Sequence, residues 1–274
     1  MVNFTSKKVY VENKLENLKE YISNYSSAII AYSGGIDSTL VAELANIVLG
    51  KKNTLVVIAV SPSLNNKEFK LATNLAQIKN WNFRPIFTKE FDNDNYLKND
   101  LSRCFYCKFE LYEKLEKIFE VENYQAIFNG TNFDDLGDFR PGIKAAREAG
   151  VISPLAILEF SKQDIRDISK SLGLPWWDKP AQPCLSSRFP YGVEITDSRL
   201  KMIEKAEEYI RRVGMQDVRV RCQGTSARIE IPCDQIQKFI RTYRREELLN
   251  FFFEIGFKSV SLDLEGLISG KLNR

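Results

Sequence analysis

Ser33, Gly34, Gly35, Asp37 and Ser38 stand in IIAYSGGIDSTLVAEL, where an apolar run meets two glycines and then a helical pattern. Adjacent glycines let the main chain bend so that successive N–H groups converge on one point, which suits an anion. A helix opening near Asp37 adds the positive end of its dipole at the same place. Ser33 and Ser38 bring hydroxyl donors, and Asp37 brings a carboxylate able to hold Mg²⁺. The expected chemistry is therefore phosphate binding. The segment lacks the Gly-Lys-Ser/Thr ending of a Walker A loop and is not a G-x-G-x-x-G turn. A tight turn with an incidental helix cap is the plainer alternative.

Cys104 and Cys107 lie in RCFYCKFELYEKL at the opening of a predicted helix, and spacing i, i+3 puts both thiols on one face. Cys184 is remote in sequence, in PCLSSRFPYG. A CxxC with one distant cysteine supplies three metal ligands. Such a set suits a [4Fe–4S] cluster with one iron left open, whereas structural zinc usually takes four. A redox pair, a zinc site, or cysteines packed as small hydrophobes remain alternatives. Cys222 reads as core from the strand alternation of VRVRCQG, and Cys233 has no evident partner. The segment FNGTNFDDLGDFRPG follows a strand, where parallel sheets present their ligand loops. It offers Gly130, Asp134, Asp135, Asp138 and Arg140 for nucleotide or Mg²⁺, although a turn-rich solvated loop has the same composition. Arg188 beside Ser186 and Ser187, with Arg219, Arg221 and Arg228, could form a phosphate cluster, since the guanidinium fork matches phosphate oxygens. Glu207 and Glu230 are candidates to pair with those arginines or to hold a metal.

The chain of 274 residues contains no histidine, which removes Ser–His and Cys–His nucleophile pairs, an imidazole base and His-ligated zinc. Its 44% hydrophobic and 27% charged residues are ordinary for a globular protein, and there is length enough for one large core or two. The net charge of +3 gives no reason to expect nucleic-acid binding. No apolar run approaches the roughly 18 residues that span a bilayer. The opening MVNFTSKKVY lacks a secretory core, so a cytoplasmic protein without membrane contact is expected. Five cysteines, an odd number in a reducing compartment, favour metal or redox roles over disulfides.

The elements that must position these residues alternate. Buried strands are predicted at 26–32, 54–60, 84–88 and 124–129, with helices at 10–24, 37–49, 66–80, 104–120 and 161–172. Strand–helix alternation implies an α/β fold, a parallel sheet with helices on both faces. The pattern breaks around 173–195, rich in proline. Beyond it a helix at 196–213, strands at 217–222 and 226–231, a helix at 234–253 and a strand at 257–264 form a smaller α+β region. The expected organisation is a nucleotide-binding domain over 1–175, a functional linker with Cys184 over 176–195, and a substrate-binding or oligomerisation domain over 196–274.

Together SGGIDSTL, RCFYCK, GTNFDDLGDFRPG, PCLSSRFPYG and VRVR…ARIE resemble the LarE family, ATP-dependent sulfur transferases that build the nickel-pincer nucleotide cofactor. SGGxDS marks the wider group of PP-loop ATP pyrophosphatases, whereas SSRFPYG and DFRPG are more specific to the family. The resemblance runs from about residue 10 to the end. It implies an adenine nucleotide alpha hydrolase-like domain with a smaller C-terminal domain, assembled as a homo-oligomer. It implies that Ser33, Gly34, Gly35, Asp37 and Ser38 bind the pyrophosphate and AMP portions of ATP. It further implies that Ser187, Arg219 and Arg221 hold the phosphate of pyridinium-3,5-biscarboxylic acid mononucleotide, with Glu207 supporting that site. Some members sacrifice a cysteine just before SSRFPYG. Here that position is Pro183, with Cys184 beside it and a CxxC upstream, which looks like the three-cysteine branch. In that branch Cys104, Cys107 and Cys184 hold the cluster, bound sulfide is the donor, and Cys184 is not consumed. A tRNA thiolase or an ammonia-using amide synthetase would share the loop. The first needs a basic RNA-binding surface, and the second leaves the cysteines unexplained.

Overall fold

The computed structural model describes residues 4–137, 141–178, 182–268 and 270–271. In chain order the regular elements of the first half are α1 (Phe4–Ser23), β1 (Ala28–Tyr32), α2 (Ile36–Leu49), β2 (Thr54–Val60), α3 (Asn66–Ile78) and β3 (Phe83–Phe87). They continue with α4 (Asp94–Leu97), α5 (Arg103–Val121), β4 (Ala126–Phe128), α6 (Pro141–Glu148), α7 (Pro154–Ile157) and α8 (Lys162–Ser171). The remainder is α9 (Asp197–Arg212), β5 (Arg219–Gln223), β6 (Ser226–Glu230), α10 (Ile236–Thr242), α11 (Arg245–Glu254) and β7 (Ser259–Leu262). The chain divides into two compact units: Met1–Ser61, Asn66–Asp92 and Cys104–Gln182, and Pro62–Asn65, Asn93–Arg103 and Pro183–Arg274.

The first unit is built on a parallel sheet in the order β3-β2-β1-β4. Strand β1 and the first five residues of β2 are buried throughout, as central strands covered on both faces must be, which is why AIIAY and TLVVI read as unbroken apolar runs. Strand β3 lies at the edge, where Pro85 costs the sheet no interior hydrogen bond. Ile29, Leu55, Val57 and Ile127 of the sheet share a core with Leu111, Tyr112 and Leu115 of α5 and with Ala145 and Ala146 of α6. Helix α8 opens on a reciprocal cap, Ser161 Oγ accepting from Asp164 N–H and the Asp164 carboxylate accepting from Ser161 N–H.

The second unit carries a small mixed sheet, β5-β6-β7, in which β5 and β6 are antiparallel and β6 and β7 parallel. Helix α9 buries Leu200, Ile203, Ala206 and Ile210 along one stripe. Asn99 is fully buried in the left-handed backbone region, which asparagine tolerates. Its Nδ2 donates to Pro190 O at 2.7 Å and Val193 O at 3.0 Å. Leu97 O and Asn99 O accept from Ile195 and Gly192 N–H. The helix expected over 234–253 is instead two, α10 and α11. Tyr243 turns extended at the end of α10, which divides the helical pattern in two, and its ring packs 4.3 Å from Phe239 four residues earlier.

Candidate functional site

Strand β1 ends at Tyr32 and α2 begins at Ile36, so Ser33–Gly35 make the whole turn between them. Gly34 has φ 77°, a left-handed conformation that a side chain would strain. Gly35 caps α2 and has no side chain to cap it with, while its own N–H donates to Ser33 Oγ at 3.3 Å. The hydroxyls are drawn inward. Ser38 Oγ accepts from Ser33 N–H at 3.1 Å, donates to Gly35 O at 3.0 Å, and lies 3.1 Å from Ser33 Oγ. Thr39 Oγ1 donates to Gly35 O at 2.8 Å. The turn is held from within, and it opens onto the start of α2, where an anion gains from the helix dipole.

The loop after β4 closes on this turn. A Cβ on Gly130 would lie 2.5 Å from Ser38 N and 2.8 Å from Ser38 Cα, so only glycine lets the two loops approach this closely. Asn132, fully buried, donates from Nδ2 to Asp37 Oδ2 at 3.2 Å. Asp134 Oδ2 accepts from Lys162 N–H at 2.8 Å, and Asp135 Oδ1 lies 3.3 Å from Lys162 Nζ. Asn129 is buried, and its Nδ2 donor has no partner among the described residues. Ser33, Gly34, Gly35, Asp37, Ser38 and Gly130 are thus brought together, whereas Asp138 and Arg140 lie outside the described residues. The donors are oxygens, the kind a hard cation takes, and Mg²⁺ beside a nucleotide needs only one or two carboxylates in addition to phosphate.

The cysteines divide between the units. Cys104 and Cys107 sit on the first turn of α5, Cys104 exposed and Cys107 half-buried, with Cys107 Sγ donating to Glu90 Oε1 at 4.0 Å. Glu90, missed in the sequence, is a buried carboxylate whose Oε2 has no partner among the described residues. Cys184 is exposed in the second unit, at the head of a short turn over Leu185–Arg188. Cys222 is buried, and that burial pushes its thiol pKa up, whereas Cys233 is exposed. None of the five is disulfide-bonded. Accessible thiols suit an iron–sulfur cluster chemically, but among the described residues no three His, Cys, Asp or Glu side chains form a metal-holding group.

Around Cys184 the second unit arrays buried arginines against the main chain. Arg188 donates from Nη1 to Pro183 O at 2.9 Å, Cys184 O at 3.3 Å and Ser187 Oγ at 2.9 Å. Its Nε and Nη2 grip Glu207 at 2.7 and 3.2 Å. Arg103 donates to Ser186 O at 2.9 Å, and Arg221 to Ser187 O at 2.7 Å. Tyr96 OH meets Ser186 Oγ at 2.7 Å. Burial alone would push the Glu207 carboxyl up. The Arg188 guanidinium and its hydrogen bonds, then Arg211 and Val220 N–H, hold it below its usual value instead. Arg221 pairs with buried Glu230 at 2.8 Å, and Arg228 reaches Glu230 at 3.5 Å and Asp263 at 3.3 Å. Arg219 differs: among the described residues it makes no side-chain ion pair. Burial lowers its pKa, with Arg188 and Arg221 adding repulsion. An arginine pressed against other cations in this way favours an anion. Ser187, Arg188, Glu207, Arg219 and Arg221 are therefore gathered in one region, but Arg188 and Arg221 are turned onto carboxylates and carbonyls.

A parallel sheet with a glycine-turned helix start at the carboxyl end of its central strand defines a PP-loop nucleotide-binding protein of the NAD synthase type. The NAD synthase family profile matches residues 10–94. The chain is 36% identical over 261 residues to the pyridinium-3,5-bisthiocarboxylic acid mononucleotide synthase of Lactiplantibacillus plantarum, covering 95% of this chain and 94% of that one. It belongs to that synthase's family, the LarE family, and is an enzyme of the PP-loop group. It is also 50% identical, over 96% of its length and 98% of the relative's, to an uncharacterised protein of Synechocystis sp.. An uncharacterised Methanocaldococcus jannaschii protein is 36% identical, covering 96% of this chain and 97% of that one. No helix among the described residues is long and apolar enough to cross a membrane.

Proposed function

We propose that this protein is a cytoplasmic, ATP-dependent sulfur transferase. It joins AMP to a carboxylate of pyridinium-3,5-biscarboxylic acid mononucleotide and converts that acid to a thiocarboxylate for nickel-pincer nucleotide synthesis. The observation that carries this reading is the Ser33–Ser38 turn: its hydroxyls are tied into the loop and Gly35 caps α2 without a side chain, in a chain that aligns end to end with a synthase of this kind. In the first step a substrate carboxylate oxygen bonds to the α-phosphorus of ATP and the bond to the β-phosphate breaks, releasing pyrophosphate. The amides at the start of α2, with Ser33 and Ser38, hold the departing charge. Asp37 would hold Mg²⁺, which supplies further neutralisation of the phosphates. In the second step hydrosulfide attacks the acyl carbon, AMP leaves, and the proton passes to solvent. Arg219 holds the acceptor's phosphate. Arg221 and Glu207 support the turn that carries Ser187. No step needs an imidazole base, in keeping with a chain without histidine.

The sulfide source that fits the sequence is a [4Fe–4S] cluster on Cys104, Cys107 and Cys184, in a homo-oligomer. This assignment rests on the resemblance to the three-cysteine branch. The test is to mix purified protein with ATP, Mg²⁺ and the dicarboxylate nucleotide and to follow pyrophosphate, with iron and acid-labile sulfide measured on anaerobically purified protein. Pyrophosphate release that depends on the acceptor is expected, together with about four irons per chain. No pyrophosphate would overturn the transferase reading. Iron-free, colourless protein would overturn the cluster alone.

A further inference from the structure

Asn132 is a fully buried side chain that bridges the two loops of the first unit's candidate site. Its Oδ1 accepts from Asp135 N–H at 3.1 Å, while Asp135 Oδ2 accepts from Asn132 N–H at 3.4 Å, a reciprocal pair of the capping-box kind. Asp135 is braced in turn by Lys162 Nζ at 3.3 Å from its Oδ1. Because Oδ1 of Asn132 already faces a donor, its amide nitrogen is the end that points at Asp37, 3.2 Å from Oδ2. Asp37 sits in the first turn of α2. A neutral donor on one carboxylate oxygen fixes the plane of that group without neutralising its charge.

We infer that Asn132 is a positioning residue for Asp37, orienting its carboxylate toward a divalent cation bound with the nucleotide. This rests on the nucleotide reading above and goes beyond it, since Asn132 touches neither phosphate nor the reacting atoms in that scheme. Partners that orient a metal ligand typically matter by 10–100-fold in metal affinity.

The test uses the full chain with Mn²⁺ and a non-hydrolysable ATP analogue, free Mn²⁺ being read by electron paramagnetic resonance. Asn132→Ser keeps a cap acceptor for Asp135 N–H but cannot reach Asp37, and Asn132→Ala removes both. Mn²⁺ affinity in the presence of the analogue is expected to fall at least about tenfold in both variants. Affinity for the analogue in excess chelator is expected to stay within about twofold of wild type. The melting temperature is expected to drop further in Asn132→Ala, because only that variant loses the cap. A residue with a merely structural role would move the melting temperature and the chelator-measured affinity together, and that pattern overturns the assignment. Unchanged Mn²⁺ affinity in Asn132→Ser also overturns it while leaving the nucleotide reading intact. Wild type that fails to bind the analogue overturns both.

Discussion

Glu207 is a fully buried carboxylate on which two arginines of the second unit converge. It accepts from Arg188, from Arg211 at 2.7 Å and from Val220 N–H at 3.1 Å, so one buried carboxylate ties α9, β5 and the Cys184 turn together. Glu207→Gln leaves two guanidiniums facing a neutral amide and should cost about 3–5 kcal/mol in denaturant melts at neutral pH. The sign of its pH dependence follows from its depressed pKa. Its contribution is complete above the ordinary glutamate value of about 4.3 and is lost as pH falls through the lower folded value. Wild type should therefore weaken in that acid window, and this part of the slope should vanish in Glu207→Gln. Gly130→Ala forces a methyl against backbone rather than a yielding side chain. It should cost about 1–3 kcal/mol by thermal melt and weaken ATP binding in a direct titration. The glycine turn and its serines were legible in the sequence because they are neighbours along the chain and bond to one another. Asn132 and Arg103 were not, since an asparagine in a turn-rich loop or an arginine before a helix gives no sign of a partner some 83 to 95 positions away.

Among the elements, the parallel strands are the ones that composition reveals. β2 matches its expected span of 54–60, and β1 and β4 fall within theirs, because a strand covered on both faces has no polar positions to blur it. The short helices α4, α6 and α7 escaped, since four to eight residues carry too few turns for a period to register. The break between α10 and α11 escaped for another reason. The ring of Tyr209, stacked 4.2 Å from Phe251 and 6.5 Å from Tyr243, binds the two helices' aromatics to α9, and no window of local sequence contains that contact. Helix α8 gives an element-scale prediction. Ser161→Ala removes the acceptor for Asp164 N–H and should lower stability by about 1 kcal/mol in urea titration, with ATP binding unchanged.

At the scale of the molecule, 39 basic and 36 acidic residues nearly cancel. Such a balance lacks the excess cationic surface that drives sequence-independent phosphate-backbone binding. Bulk tRNA at about 10 μM should not be retained with the protein on a filter at physiological salt, and firm retention would favour RNA thiolation over a small acceptor. The two compact units also differ in how the chain supplies them. The second takes residues 93–103 from well before most of its mass, and Asn99 waits for an acceptor 91 positions downstream. During synthesis at roughly 5–20 residues per second, that stretch leaves the ribosome some 5–18 s before Pro190 does. For those seconds Tyr96 and Leu97 are exposed on a nascent chain whose neighbouring strands are already able to pair. Chaperone demand for this protein should therefore peak mid-translation rather than after release.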